Sequence, residues 1–144
     1  MFRIASSLED LTKVFIVRGI VFMEEQNVAY ALEMDEHEVS SIHILGEIDG
    51  EPIAAGRIRF VDQWSKLERI AVRKRYRKHH YGHQLVDFMI AQARRHGFKR
   101  IKMHAQARLV EFYRQHGFKI KGDLFQEADI DHYLMVLTDE RASS

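Results

Sequence analysis

The chain has 144 residues, 46% of them hydrophobic, which is enough for one domain with a core of its own. Its 22 Lys and Arg against 21 Asp and Glu leave a net charge of +1, which argues against a general nucleic-acid coat. With no cysteine it has no disulfide framework, no thiolate metal site and no covalent cysteine mechanism.

In chain order, residues 2–5 (FRIA) read as a short strand. Ser7 is a helix N-cap signal, and Asp10 stands three residues on, where a capping-box acid belongs. Leu8, Leu11, Phe15 and Phe22 recur at near-helical spacing and predict the buried face of a first helix. Residues 27–41 are polar and acidic, and read as a loop or a broken helix. Ile42, Ile44 and Ile48 alternate along a strand, Asp49-Gly50 signals a hairpin turn, and a second strand follows Pro52. Residues 65–72 (SKLERIAV) read as a further strand. Residues 83–97 read as a helix, with Leu85, Val86, Met89 and Ala93 on one face and Gly97 as its stop. A strand over 99–106, a helix ending at Gly117, a strand over 118–123 and a last strand over 131–137 complete the chain.

No repeat or linker interrupts this order, so residues 1–144 are expected to form a single domain. The strand–helix–strand centre calls for a parallel pair with a crossover, while the front is antiparallel. The expected class is α/β (α+β), a mixed sheet with helices on its faces. The opening "MFRIASSLEDL" lacks a basic stretch followed by an apolar run, so no secretory signal is expected. No apolar run approaches the roughly 18 residues of a membrane span, so no membrane partner is expected and the cytoplasm is the expected compartment.

Chemistry concentrates in residues 75–85, RYRKHHYGHQL. Arg73, Lys74, Arg75, Arg77 and Lys78 crowd the turn between a strand and a helix. A helix N-terminus offers unpaired N–H groups and the positive end of a dipole, which suits an anion. Gly82 at the helix opening lets a ligand approach the backbone. Three readings compete: a solvated basic edge, a nucleic-acid patch, or a socket for a phosphorylated small ligand. Tyr76 and Tyr81 are the only interleaved aromatics, which weighs against nucleic acid. The spaced Gly-Lys-Ser/Thr of a Walker loop is missing. His79, His80 and His83 lie close together, but no acid stands among them, and no metal site is expected. The residues alone leave the socket and the basic edge open.

The segment ERIAVRKRYRKHHYGHQLV resembles the acetyl-CoA-binding segment of the GNAT acetyltransferase superfamily: a strand, then Arg/Gln-x-x-Gly-x-Gly/Ala, then a helix. Here the pattern reads Arg77-Lys78-His79-His80-Tyr81-Gly82. EFYRQHGFK is similar to the second signature, aromatic-Tyr-x-x-x-Gly-Phe, and FMEEQNV, KMHAQ and FQEADIDHYLM resemble the ElaA/YjcF-like branch. The resemblance runs along nearly the whole chain. It implies the GNAT fold, a mixed central sheet of about six to seven strands flanked by about four helices. It also implies acetyl-CoA as co-substrate, no metal, and a primary amine of a small molecule or peptide as acceptor.

By the same resemblance, Ile70, Ala71 and Val72 supply main-chain cofactor contacts where a bulge splays two strands. The loop Arg77, Lys78, His79, His80, Tyr81, Gly82 and His83 contacts the phosphates. Gln106 stands where the superfamily has a pantetheine-contacting asparagine. His80 stands where it usually has glycine.

Tyr113 is implied as a cofactor contact and as the acid for the leaving thiolate. A phenol, with a reference pKa of about 10 against about 8.5 for a thiol, is protonated at neutral pH. The other reading of Tyr113 is a core tyrosine packed with Leu109 and Phe112. Glu68 is a candidate base acting through water, or else a surface ion pair with Lys66 or Arg69. Glu24, Glu25 and His104 are assigned to the acceptor side. His104 is the one histidine considered as a base, against a satisfied core histidine. Glu127 and His132 fall near the expected acceptor mouth with no assigned role. The acidic cluster Glu24, Glu25, Glu33, Asp35, Glu36 and Glu38 hints at a cationic acceptor.

The rival reading is a non-catalytic acyl-CoA-binding or regulatory module on the same fold. His80 favours it, whereas Tyr113 and Glu68 favour an enzyme. Dimers are common in the superfamily, so a homodimer is allowed.

Overall fold

The structure, a computed structural model, describes residues 1–138. Eight strands form one sheet in the order β1-β2-β3-β4-β5-β8-β6, with β7 paired to β8. They are β1 (Phe2–Ile4), β2 (Ile42–Ile48), β3 (Glu51–Val61), β4 (Trp64–Val72), β5 (Arg100–Gln106), β6 (Lys119–Ile120), β7 (Phe125–Glu127) and β8 (Ile130–Thr138). The helices are α1 (Leu8–Arg18), continued by a π-helical segment Gly19–Glu25, then α2 (Tyr30–Glu33), α3 (Tyr81–Arg95) and α4 (Val110–Arg114). Among the described residues no helix is long and apolar enough to cross a membrane. The mixed α/β fold is the one the sequence implies, with one strand more than six to seven.

The β2–β3 hairpin turns where expected. Asp49 and Gly50 both take left-handed backbone (φ 50° and 83°), which matches the twist of the strands they join. A second hairpin, β7–β8, turns at Ala128 and Asp129 in the same conformation (φ 51° and 62°). Neither residue is glycine, so the turn carries no glycine signal and β7 is not legible in the sequence. The strand read over 118–123 is only Lys119–Ile120.

Two layers of helix cover the sheet. Leu85, Val86, Met89, Ile90 and Ala93 of α3 pack on one face with Ile44, Ile53, Ile58, Leu67 and Met103. Each fully buried Leu, Ile or Met there contributes about 1.5–3 kcal/mol. On the other face Val14, Val17 and Val21 meet Leu45, Ala55 and Ala71. This corrects the expected stripe on the first helix: Leu8 is 82% exposed, and Leu11, Phe15 and Phe22 are only partly buried. Compact valines, not the larger residues beside them, fit against the strand surface of Leu45, Ala55 and Ala71. Ser7 caps α1 as expected, accepting from the Asp10 N–H at 3.1 Å. Asp10 does not reach back to Ser7; its carboxylate takes Arg3 at 2.8 Å and the Ser6 N–H instead.

The site depends on β4. Arg57 pairs with Glu68 and Ala55 with Ala71, so β4 spends one more residue than β3 over the same span. This bulge contains Arg69 in left-handed backbone (φ 53°). On its other edge β4 runs parallel to β5, but pairing ends at Leu67 and Met103 although β4 continues to Val72 and β5 to Gln106. Beyond that point the two strands separate.

Candidate active site

Two clefts open along this separation, of about 380 and 410 Å³. Five residues line both: Gln26, Ile70, Gln106, Leu109 and Tyr113. They form the wall where the clefts meet. Gln106 donates from Nε2 to Gln26 Oε1 at 2.9 Å, tying β5 to the end of the π-helical segment. The sequence reading did not single out Gln26. Its only signal is its place in FMEEQNV, and π-helical turns often sit at functional sites.

The first side of the junction is the basic turn. Ile70, Ala71, Val72, Arg77, Lys78, His80, Gly82, His83, Gln106 and Tyr113, all expected as cofactor contacts, line this cleft. His79 and Tyr81 do not; His79 is exposed and packs on Tyr81, ring centroids 5.9 Å apart. Helix α3 begins at Tyr81, two residues before the expected start, so Gly82 lies in its first turn. A Cβ on Gly82 would stand 3.3 Å from the Phe112 ring. His80 caps α3 in left-handed backbone (φ 65°), a conformation that costs an L-residue roughly 1–2 kcal/mol and glycine nothing. Glycine at this place would therefore relieve the backbone as well as clear the approach.

Arg77 is not a free phosphate ligand. Its guanidinium donates to both Glu25 oxygens, at 2.7 and 2.8 Å, and to the Val72 carbonyl at 2.9 Å. The Arg77 pair holds the Glu25 acid below its ordinary value. Glu25, expected on the acceptor side, lines neither cleft and instead braces the basic turn. Glu24 is exposed and lines neither cleft. Lys78, His80, His83 and Arg108 remain as the polar lining that suits an anion. His83 Nδ1 lies 2.8 Å from His116 Nε2, and His116 Nδ1 lies 2.9 Å from Asp87.

The second side carries Glu68, His104, Glu127 and His132. Glu68 is half-buried, with its side chain 8% exposed, and pairs with Arg57 at 2.8 Å, Lys66 at 3.0 Å and Arg59 at 3.1 Å, not with Arg69. Burial pushes its acid up, but Arg59, Lys66 and Arg57 outweigh that and bring it down to about 2. His104 is not a core histidine. It is half-buried at the cleft wall, with Nδ1 at 2.9 Å from Glu127 Oε1.

The acidic cluster is largely neutralised. Arg18, only 1% exposed, takes Glu33 at 2.6 Å and Glu38 at 2.7 Å. Arg57, equally buried, takes Asp35 and Glu38 at 2.8 and 2.9 Å. Glu36 is exposed and lines neither cleft. The cluster is therefore no evidence for a cationic acceptor.

Tyr113, on α4, is 5% exposed and packs edge-on against Phe112, with centroids 5.1 Å apart. Burial, opposed only weakly by Arg108, pushes its phenol well above the ordinary value, so it stays protonated.

The chain resembles proteins of one kind along its length. The Bacillus subtilis protein named uncharacterized N-acetyltransferase YjcF is 38% identical over 135 residues, covering 92% of this chain and 96% of that protein. The crystal structure of Escherichia coli ElaA superposes with a TM-score of 0.86 at 25% identity, covering 95% of this chain and 98% of that one. A GNAT family acetyltransferase from Elizabethkingia anophelis, solved with acetyl-CoA bound, shares the fold at a TM-score of 0.70 and 14% identity, over 96% and 97% of the two chains. The acetyltransferase (GNAT) family pattern itself matches residues 9–118. The splayed strands and the joined clefts thus stand in a chain that belongs to the acetyltransferase (GNAT) family, beside YjcF and ElaA.

Proposed function

We propose that the protein transfers acetyl directly from acetyl-CoA to a primary amine of a small molecule or peptide. One observation carries this reading: a basic cleft at a helix N-terminus and a second, mixed-charge cleft share a wall that includes Tyr113. Direct transfer needs both substrates present at once, with the thioester at the junction. The residues fit CoA. Lys78, His80, His83 and the first N–H groups of α3 would meet the phosphates, Gln26 and Gln106 would supply amides to the pantetheine arm, and the β4 backbone from Ile70 to Val72 would offer N–H groups along the opened edge. Acetyl-CoA brings the activated acyl group. Tyr113 holds the proton that the departing sulfur needs. Glu68, with an acid value of about 2, keeps its charge and serves as an anionic anchor within the acceptor wall.

Calorimetric titration with CoA and dephospho-CoA, followed by CoA release from acetyl-CoA against a panel of amines, tests the reading. Binding of both ligands and amine-dependent release are expected. Absence of binding at millimolar CoA overturns it, and binding without turnover returns the chain to a non-catalytic acyl-CoA-binding role. Gly82→Val is expected to weaken CoA binding, because its side chain meets Phe112 and fills the approach to the backbone.

His80→Gly is expected to bind CoA as well as the parent or better, since glycine takes φ 65° without strain. The looser free loop offsets part of that gain. Titrations from pH 5.5 to 7.5 separate an obstacle from a ligand. A flat affinity ratio fits an obstacle, whereas a loss in His80→Gly that grows as pH falls means that protonated His80 contacts a phosphate.

A further inference from the structure

We propose that His104 and Glu127 form a proton-accepting dyad for the acceptor amine, with His104 Nε2 as the accepting atom. The proposal rests on the acetyl-transfer reading and names the base it leaves open.

Strand alternation puts His104 and Gln106 on the same face of β5, and both line the acceptor cleft. Glu127 arrives from β7, the short strand that the Ala128–Asp129 turn folds back along β8. Its Oε1 lies 2.9 Å from His104 Nδ1. That bond, opposed by burial, holds the Glu127 acid below its ordinary value, so the carboxylate is ionised and can only accept. His104 Nδ1 must therefore carry the hydrogen, which leaves the lone pair of the neutral ring on Nε2. The Phe125 ring stands edge-on to His104, with centroids 5.0 Å apart at 76°, and fixes the plane of the imidazole.

The other charged and titratable groups lining this cleft are His132 on β8, Lys66, Glu68 and Arg69 on β4, Arg59 on β3, and Glu33, Asp35 and His37 from the segment that follows the π-helical turn. His132 Nδ1 is taken by the Ile130 carbonyl at 2.6 Å, and its Nε2 lies 3.8 Å from the second Glu127 oxygen. Lys66 and Glu68 face the cleft from β4 and pair with each other at 3.0 Å. Glu68 is ion-paired with three cations, whereas the ion-pair partners of Glu127 are the imidazoles of His104 and His132, with Lys66 acting on it only at longer range. The arrangement suits Glu127 to stabilise an imidazolium, and makes Glu68 a poor proton acceptor.

The protons balance. Nε2 takes the ammonium proton before the C–N bond forms and the C–S bond breaks. Tyr113 gives its proton to the departing sulfur and regains one from the nitrogen as the amide forms. His104 then returns its proton to water.

The test uses acetyl-CoA with benzylamine, spermidine or Nα-blocked lysine, whichever supports CoA release by the parent. For the parent, kcat/KM is expected to rise with pH through an ionisation that His104→Asn removes, with kcat falling on the order of 10²-fold. Imidazole added to His104→Gly should restore part of the rate. Glu127→Gln should move the ionisation to lower pH and reduce kcat at nearly constant KM. An unchanged profile in His104→Asn overturns the dyad, as does a Glu127→Gln variant altered in KM alone, which would make Glu127 an acceptor anchor.

Imidazole ¹⁵N shifts give a readout that needs no turnover. His104 should be protonated at Nδ1 in the parent and at Nε2 in Glu127→Gln; an Nε2–H ring in the parent overturns the assignment. A parent that turns over no amine removes the acetyl-transfer reading and the dyad with it. A parent that turns over while His104→Asn matches it removes the dyad alone.

Discussion

Tyr113→Phe is expected to lower turnover by ~10²–10⁴-fold while leaving CoA affinity nearly unchanged. The substitution removes one oxygen and keeps the ring, which stays packed against Phe112 and Phe118. Among the described residues no hydrogen bond holds the phenol, so the fold loses little and the melting temperature should stay close to the parent's. The chemistry loses its proton donor. The burial that raises the phenol acts equally on a thiolate expelled into the same wall, so the raised value does not disable the transfer. Hydroxyl loss should appear in kcat, because the sulfur carries negative charge only as the C–S bond breaks. Equal kcat in parent and variant would reduce Tyr113 to a packing residue. A large loss of CoA affinity with normal kcat would make it a binding contact only.

The parts of this fold that were legible in the sequence are those set by local chemistry. Ser7 announced a helix, Asp49-Gly50 a hairpin, and Gly97 and Gly117 two helix ends, because a side-chain oxygen or a positive φ decides each within a few residues. The basic turn was legible in the same way, and five of its seven residues from Arg77 to His83 line one cleft. What stayed hidden depends on partners distant in the chain. Arg77 looks like a phosphate ligand until Glu25, 52 residues away, is seen to occupy it. The run from Glu33 to Glu38 looks like an acidic lure until Arg18 and Arg57 are found beneath it. Glu127 meets His104 only because a hairpin without glycine lays it there. Long-range charge pairing leaves no periodicity, so composition and spacing cannot register it.

Arg57→Met is expected to destabilise the fold by about 3–5 kcal/mol at neutral pH, the usual cost of removing one partner from a buried ionic cluster. For a chain of this size that lowers the melting temperature by about 10–15 °C. Arg57 is 1% exposed and holds Asp35, Glu38 and Glu68 within 2.9 Å. Methionine fills much of the space but leaves three carboxylates facing one another, each missing its shared cation. The pH dependence identifies the cause. Burial pushes Glu38 up, but Arg18 and Arg57 bring it from 4.5 down to about 2, and Glu68 likewise sits at about 2. In the parent these depressed acids contribute stability above about pH 4.5 that is lost as pH falls toward 2. Without Arg57 their affinity for protons rises, so the variant's folded state takes up protons earlier on acidification and sheds its repulsion. Urea midpoints for parent and variant should therefore lie far apart at pH 7 and draw together by about pH 3.5. Because the cluster joins α1, the 30–38 segment and the β4 bulge, the weakened variant should also lose the acceptor wall before the basic turn, and amine KM should rise at temperatures where CoA still binds. Coincident midpoints at pH 7 would show that the cluster is screened like a surface network, and a gap that widens toward acid would show that Arg57 works through packing rather than charge.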